Sequence, residues 1–471
     1  MKLEQIYTDC LAQGAYYLES EGEVAIIDPL RDVQPYIDKA KENGAQIKYI
    51  FETHFHADFV SGHLDLAEKT DATIVFGPLA KPSYDAYIAR DCEIFRVGRV
   101  LIQVLHTPGH TMESSCFLLS DEEGTPIALF TGDTLFIGDV GRPDLAQKLS
   151  TELTEELLAG YLYDSLHKQI LHLPDDTLIY PAHGAGSSCG KNMSEDTFDT
   201  LGNQKQQNYA LQAQSKEEFI RKVLTGLTPP PSYFPDNVLM NIHGYDSIDR
   251  VLKRGVKPLT IDQFESFLHE EDVLLLDTRD ATDFVQGFIP SSVNVGIDGN
   301  FAPWVGTVIP DVSQKLILII EKGREAEVVT RLARVGYDHA LGYLDGGFET
   351  WRDSGREVEI IPSVSVEKLH QLLLEQPSLP ILDVRRKNEF KSEHLIGAEN
   401  EELDYIHTQK TKLKSNKTYY VYCGGDYRSM IYISILKRKG YNNLVSIRGG
   451  FTSMKDSGLM KLSKYICPTT L

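Results

Sequence analysis

The chain has 471 residues, a net charge of −21, 42% hydrophobic and 24% charged residues. At roughly 100–200 residues per domain this length implies about three domains. The composition has no low-complexity tract and no apolar run long enough to cross a bilayer, so neither disorder nor a membrane-spanning helix is expected. The acidic balance, without a basic cluster, speaks against nucleic acid or an anionic membrane as partner.

The start, MKLEQIYTDCLAQGAYYLESEGE, lacks a basic segment followed by an apolar one, so a cytoplasmic location is expected. Cys10, Cys92, Cys116, Cys189, Cys423 and Cys467 are widely spaced without a CxxC pair. They are expected to act as free thiols, not as a disulfide framework or zinc ribbon.

Residues 1 to about 225 alternate short β-rich runs (Glu23–Asp28, Ile47–Phe51, Ala72–Phe76, Leu101–Leu105) with amphipathic helical stretches such as Val33–Asn43. The stretch TPPPSYFP, Thr228–Pro235, reads as a non-helical inter-domain strap, because each proline removes a donor and restricts its predecessor. Beyond it the chain repeats itself. Leu259-Thr-Ile-Asp-Gln-Phe leads to Leu274-Leu-Leu-Asp-Thr-Arg279, and Val364-Ser-Val-Glu-Lys-Leu leads to Pro380-Ile-Leu-Asp-Val-Arg385. The copies end in Leu344-Asp-Gly-Gly-Phe348 and Ile447-Arg-Gly-Gly-Phe451. Two copies at this spacing imply a duplicated α/β domain with a buried parallel sheet.

In the first region the segment THFHADFVSGH, Thr53–His63, approaches His-x-His-x-Asp-His but carries Phe59 in place of the last histidine. His54 and His56 follow an apolar strand. LHTPGH ends at His110, LFTGD at Asp133 and LIYPAH at His183, each also at the end of a strand. Four strand ends offering His, His, Asp and His suit a metal site.

These residues resemble the metallo-β-lactamase superfamily over residues 1 to about 245, which implies an αββα sandwich with metal at the sheet edges. In its two-metal hydrolases, His54, His56 and His110 would form one site, Asp58, residue 59 and His183 the other, with Asp133 bridging. Phe59 has no lone pair to give. The persulfide dioxygenase branch is similar in Thr107-Pro-Gly-His-Thr111, Thr131-Gly-Asp133 and Gly141-Arg-Pro-Asp144. That resemblance implies one Fe(II) per chain on His54, His110 and Asp133, with zinc as the alternative occupant. His56, Asp58 and His183 would orient ligands or water, and a direct bond from His56 to the metal stays open. His63 reads as structural. Arg142 either holds the substrate's anionic part or pairs with Asp139 or Asp144, and Cys189 either handles persulfide sulfur at the site mouth or is an ordinary thiol.

In the last region, YYVYCGGDYRS, Tyr419–Ser429, is an apolar strand running into a loop and helix. Backbone N–H groups there would lower the pKa of Cys423. Four residues separate Cys423 from Arg428. With Leu382-Asp-Val-Arg385, Glu389-Phe390, His394–Ala398 and Arg448–Phe451 the loop resembles the rhodanese sulfurtransferases. That resemblance implies a sulfur-accepting Cys423, an Arg428 that stabilises it, and Asp383 and Arg385 that hold loop and sheet. In the middle copy Glu321 is expected at the cysteine position, so no sulfur nucleophile is present.

The whole chain thus resembles persulfide dioxygenase–rhodanese fusions: an αββα domain over residues 1–245, an inactive rhodanese domain over 257–356 and an active one over 362–471. The implied activity is O₂-dependent oxidation of low-molecular-weight thiol persulfides to sulfite, with transfer of sulfur from Cys423 giving thiosulfate, in sulfide detoxification. A homo-oligomer is compatible with this reading. The rival expectations are a thioester hydrolase of the glyoxalase II type and a non-catalytic sulfur carrier or sensor.

Overall fold

The structure, a computed structural model, describes residues 1–145, 153–227, 230–409, 411–414 and 416–467. It forms two compact units, Met1–Arg250 with Ala333–Gly336, and Val251–Leu332 with Tyr337–Leu471. Among the described residues no helix is long and apolar enough to cross a membrane.

The first unit holds two six-stranded mixed sheets. One runs in chain order through β1 (Lys2–Thr8), β2 (Gln13–Ser20), β3 (Glu23–Ile27), β4 (Gln46–Glu52), β5 (Thr73–Phe76) and β6 (Tyr87–Ile88). The other comprises β7 (Ile94–Val97), β8 (Val100–His106), β9 (Ser115–Ser120), β10 (Pro126–Gly132), β11 (Leu178–Pro181) and β12 (Asp199–Thr200), again as neighbours in sequence order. Period-two alternation divides each strand between two cores. On β2, Tyr16 and Leu18 point to the inter-sheet core with Phe51, Phe117 and Phe130. Ala15 and Tyr17 point the other way, to the helices Gln34–Glu42 and His63–Thr70. The outer face of the second sheet is covered by Glu155–Ser165 and Lys216–Leu224. This is the αββα sandwich, with the ends of β4, β10 and β11 leading into the candidate ligands.

The strap differs from the sequence expectation. Thr228 and Pro229 lie outside the described residues, but Phe234 and Pro235 open the helix Phe234–His243, since a proline in the first turn loses no hydrogen bond that the helix needs. That helix belongs to the first unit, which runs on to Arg250.

The second unit holds two five-stranded parallel sheets of one topology. The strands are β13 (Pro258–Leu259), β14 (Val273–Asp277), β15 (Val293–Asn294), β16 (Lys315–Ile319) and β17 (Ala340–Leu344), then β18 (Ser363–Val364), β19 (Ile381–Asp383), β20 (Glu399–Asn400), β21 (Tyr419–Tyr422) and β22 (Leu444–Ile447). Their orders are β13-β17-β16-β14-β15 and β18-β22-β21-β19-β20, all parallel. The repeated opening motif is a strand end, a cap and a helix start. Thr260 accepts from the N–H of Gln263 in a capping box, and Ser365 accepts from that of Lys368. The repeated Asp-x-Arg is a buried bidentate pair: Arg279 Nη2 lies 2.6 Å from Asp277, and Arg385 Nη2 2.7 Å from Asp383. Each guanidinium sits 4.0 Å over the phenylalanine of the closing Gly-Gly-Phe motif, Phe348 or Phe451.

Candidate functional site

At the sheet edge of the first unit the strand ends and their loops bring nine buried donor residues together among the described residues. His54, His110 and Asp133 form one group whose donor atoms lie within 4.8 Å of one another, and His56, Asp58 and His183 form a second. Asp133 and His183 also group with Cys189, and His56 with Asp28 and Glu52. Asp133 Oδ2 is 3.4 Å from His110 Nε2 and 3.9 Å from His54 Nε2. Its Oδ1 is 3.6 Å from His183 Nε2, which is itself 3.4 Å from Asp58. The carboxylate of Asp133 thus faces both groups.

Three imidazoles are aimed inward by what their other nitrogen does. His54 Nδ1 donates to Thr53 Oγ1 at 2.9 Å, and that hydroxyl donates to Asp28. His110 Nδ1 donates to the carbonyl of Arg142 at 2.9 Å, and His183 Nδ1 to that of Ala12 at 3.2 Å. Each Nε2 is left facing the cluster, the arrangement that orients metal-binding histidines. Burial and the neighbouring histidines hold His54 well below the ordinary histidine value, so it is neutral, as a ligand must be. Burial opposes ionisation of Asp58, but the charge of His183 outweighs it and lowers the carboxyl. His183 is raised: burial pulls it down and the charges of Asp58 and Asp133 more than offset that.

The donors fit a cation. Both oxygens of Asp133, His183 Nε2, both nitrogens of His56 and Asp58 Oδ1 are buried and lack a hydrogen-bond partner in the protein. Each such atom costs about 1–3 kcal/mol unless something satisfies it. Close approach is built in at Gly141, where a Cβ would strike the backbone carbonyl of Asp133.

The remaining expected residues take definite places. Phe59 is fully buried with its ring 4.3 Å from that of His56. His56 turns Nε2 toward Asp28 at 3.2 Å and Glu52 at 3.6 Å. His63 is structural, with Nδ1 3.1 Å from Glu52 and its ring stacked on Tyr84. Arg142, buried, makes the ion pair: Nε and Nη2 clasp Asp144 at 2.7 and 2.6 Å, and Nη1 donates to the Ser188 carbonyl. Its guanidinium braces the loop around Cys189, whose carbonyl accepts from the Arg142 N–H. Burial, with the charges of Asp58 and Asp133, pushes the Cys189 thiol far above its ordinary value.

Sequence reasoning missed Asp28, Glu52 and Asn241. Asn241 donates to the carbonyls of His56 and Phe59 and accepts from the N–H of Ser61, fixing the whole ligand loop. Asp28 sits directly after β3, and an acid at a strand end was its available signal; Asn241, 180 positions from Ser61, had none.

In the second unit Cys423 follows β21 directly and is buried. Its Sγ lies 3.1 Å from the Gly425 carbonyl and 3.6 Å from Ser429 Oγ. One expectation is corrected here. Burial raises the Cys423 thiol above its ordinary value, and Ser429 and Arg428 pull it down only in part. The Arg428 guanidinium also pairs with Glu389, in a bidentate contact at 2.6 and 2.8 Å. A second correction concerns the middle copy. Asp277 pairs with Ile319 and Asp383 with Tyr422, so the residue matching Cys423 is Ile320, one before Glu321. The absence of a sulfur nucleophile there stands.

Models of known families match this architecture. The metallo-beta-lactamase superfamily matches residues 8–183, and the rhodanese-like domain matches 260–354 and 365–457. A solved metallo-beta-lactamase from Staphylococcus aureus subsp. aureus COL is 32% identical, covering 73% of this chain and 98% of its own, with a TM-score of 0.63. The chain belongs to the metallo-beta-lactamase superfamily. It carries two rhodanese-like domains after the metallo-beta-lactamase domain. A probable hydroxyacylglutathione hydrolase of Schizosaccharomyces pombe is 35% identical over 181 residues, 37% of this chain and 64% of its own. The human persulfide dioxygenase ETHE1 is 34% identical over 163 residues, 34% of this chain and 59% of its own. The chain spans about three fifths of the length of the curated relatives it matches. A hydrolase and a dioxygenase are therefore equally close.

Proposed function

We propose that the chain is a persulfide dioxygenase that uses one Fe(II), coupled to sulfur transfer at Cys423. The observation that carries this reading is Phe59. Its buried ring stands where a two-metal site would need a further donor, beside the His54, His110 and Asp133 group, whose donors come from three separate segments. His54, His110 and Asp133 would hold the Fe(II), and the ion would supply the activation of O₂ toward a thiol persulfide. The protein's own part is orientation. Thr53 and the Arg142 carbonyl fix the ligand imidazoles, Asn241 fixes their loop, and the buried surround keeps out bulk water.

The overall oxidation consumes a thiol persulfide, O₂ and water and yields sulfite, the thiol and protons. At Cys423, carried as a persulfide, the sulfite lone pair attacks the outer sulfur. The S–S bond breaks, Sγ keeps the electron pair and thiosulfate leaves. Glutathione, coenzyme A and smaller thiols all satisfy this chemistry.

A second reading, a two-metal thioester hydrolase, draws support from the His56, Asp58 and His183 group, which offers three donors despite Phe59. Metal analysis with an oxygen electrode separates the two. One iron per chain and O₂ uptake on adding persulfide is the expected result; two metals per chain with thioester cleavage and no O₂ uptake overturns it.

A further inference from the structure

We propose that the middle rhodanese copy positions the Cys423 loop of the last one, through a seat that it builds for Tyr427. The inference rests on the reading that Cys423 is the sulfur acceptor.

Tyr427 is the first residue of the helix Tyr427–Arg438, between the loop glycines and Arg428. Its hydroxyl donates to the Gly296 carbonyl at 2.8 Å. Its ring lies so close to Gly299 that a Cβ there would overlap it. Gly299 is not among the residues with positive φ, so the backbone tolerates other residues; the ring is what demands glycine. The same helix touches the middle copy again at Ser434, whose hydroxyl accepts from the N–H of Asn294 on the edge strand β15 at 3.0 Å. Further along, Arg438 donates to the Ser291 carbonyl at 3.1 Å. Positions 427, 434 and 438 fall on one stripe of a helix. The helix that starts at the cysteine loop is thus anchored along its length to the neighbouring domain, with Tyr427 at the end nearest the sulfur.

The middle copy's own loop is spent on this seat. Arg324, in the loop that replaces the cysteine loop, pairs with Asp298 at 2.7 Å and with Glu327 at 2.8 Å. Arg331 donates to the Ile297 carbonyl at 2.7 Å. Residues 296–299 are therefore held from the middle copy's side by two arginines, while Tyr427 enters from the other. In the last copy the corresponding loop surrounds a sulfur; in the middle copy it braces the turn that receives Tyr427. The link to chemistry is short. Arg428 and Ser429, the next two residues, offer Cys423 Sγ their backbone N–H groups, and a displaced Tyr427 turns those donors away.

The test is alkylation of Cys423 by iodoacetamide in the full-length protein between pH 7 and 9.5, followed on its peptide by mass spectrometry. Gly299→Ala, a change in a domain without a thiol, is expected to move the rate-against-pH curve up by at least about half a unit, roughly a threefold slower reaction at a given pH. Tyr427→Phe, which removes one hydroxyl and leaves packing intact, is expected to shift it in the same direction by less. Curves for both variants that superimpose on wild type overturn the proposal. A shift in a protein whose wild type forms no thiocyanate from thiosulfate and cyanide supports the positioning and removes only the sulfurtransferase reading.

Discussion

The two rhodanese copies share a scaffold and differ at its chemical end. Asp277 and Arg279 repeat as Asp383 and Arg385 with nearly the same distances. Asn294 and Asn400 each donate to two carbonyls of that corner, at 2.9–3.0 and 2.8–2.9 Å. Where the last copy has Cys423 and two glycines, the middle copy has Ile320, Glu321 and Lys322. The comparison teaches that the buried charge pair and the aromatic ring over it recur in either copy, while the cysteine and its glycines are a separate addition to one loop.

The largest expected effect breaks that addition. Cys423→Ser is expected to cut thiosulfate formation at least about a thousandfold while O₂ consumption continues, so that sulfite accumulates instead; unchanged thiosulfate would assign the transfer elsewhere. The reciprocal change, Ile320→Cys, should restore no more than about 1% of the transfer in a Cys423→Ser background, because Glu321 and Lys322 stand where the last copy has Gly424 and Gly425.

The next effect is in pH. Burial raises the Cys423 thiol above its ordinary value, and the thiolate is the reacting form. Its alkylation should therefore climb about tenfold per pH unit, roughly a hundredfold from pH 7 to 9. Linkage has the matching sign. Well below the ordinary thiol value the group is protonated in folded and unfolded chain alike; as pH rises through that value the folded chain holds the proton longer, so this group's contribution to stability is lost as pH rises through the folded value.

Smaller, and equal in the two copies, is the loss on Arg279→Ala or Arg385→Ala. Each leaves a buried aspartate unpaired, at a cost of about 3–5 kcal/mol in a denaturant titration. A marked inequality would show that the copies do not depend on the same corner. The smallest is Glu389→Gln, which weakens a half-exposed ion pair with Arg428 and is expected to change stability by less than about 1 kcal/mol.

Much of this was legible in the sequence where local physics governs. Apolar runs became strands, the repeated motifs became two copies of one sheet, and strand-end histidines and an aspartate converged because loops at one edge of a sheet share a direction. The single-residue offset between Ile320 and Glu321 was not legible, since it is set by ladder register and not by similarity of the loops. The partner of Arg428 was likewise hidden, because a guanidinium takes whichever carboxylate the fold brings within reach, and here that is Glu389, 39 positions earlier.

By itself the sequence determined the mixed α/β layers of the first region, the duplicated parallel sheets, the inventory of donors and the one copy that bears a loop cysteine, because periodicity and side-chain chemistry are local properties of the chain; the αββα arrangement was what the resemblance implied. Only the tertiary structure decided that Arg142 closes on Asp144, that Asn241 clasps the THFHADF loop, that Cys423 is buried with its thiol raised, and that Tyr427 seats against Gly299. Each of those depends on which distant groups end up in contact, and in a packed interior contact and burial set the charge state and direction of a side chain more strongly than its neighbours in sequence.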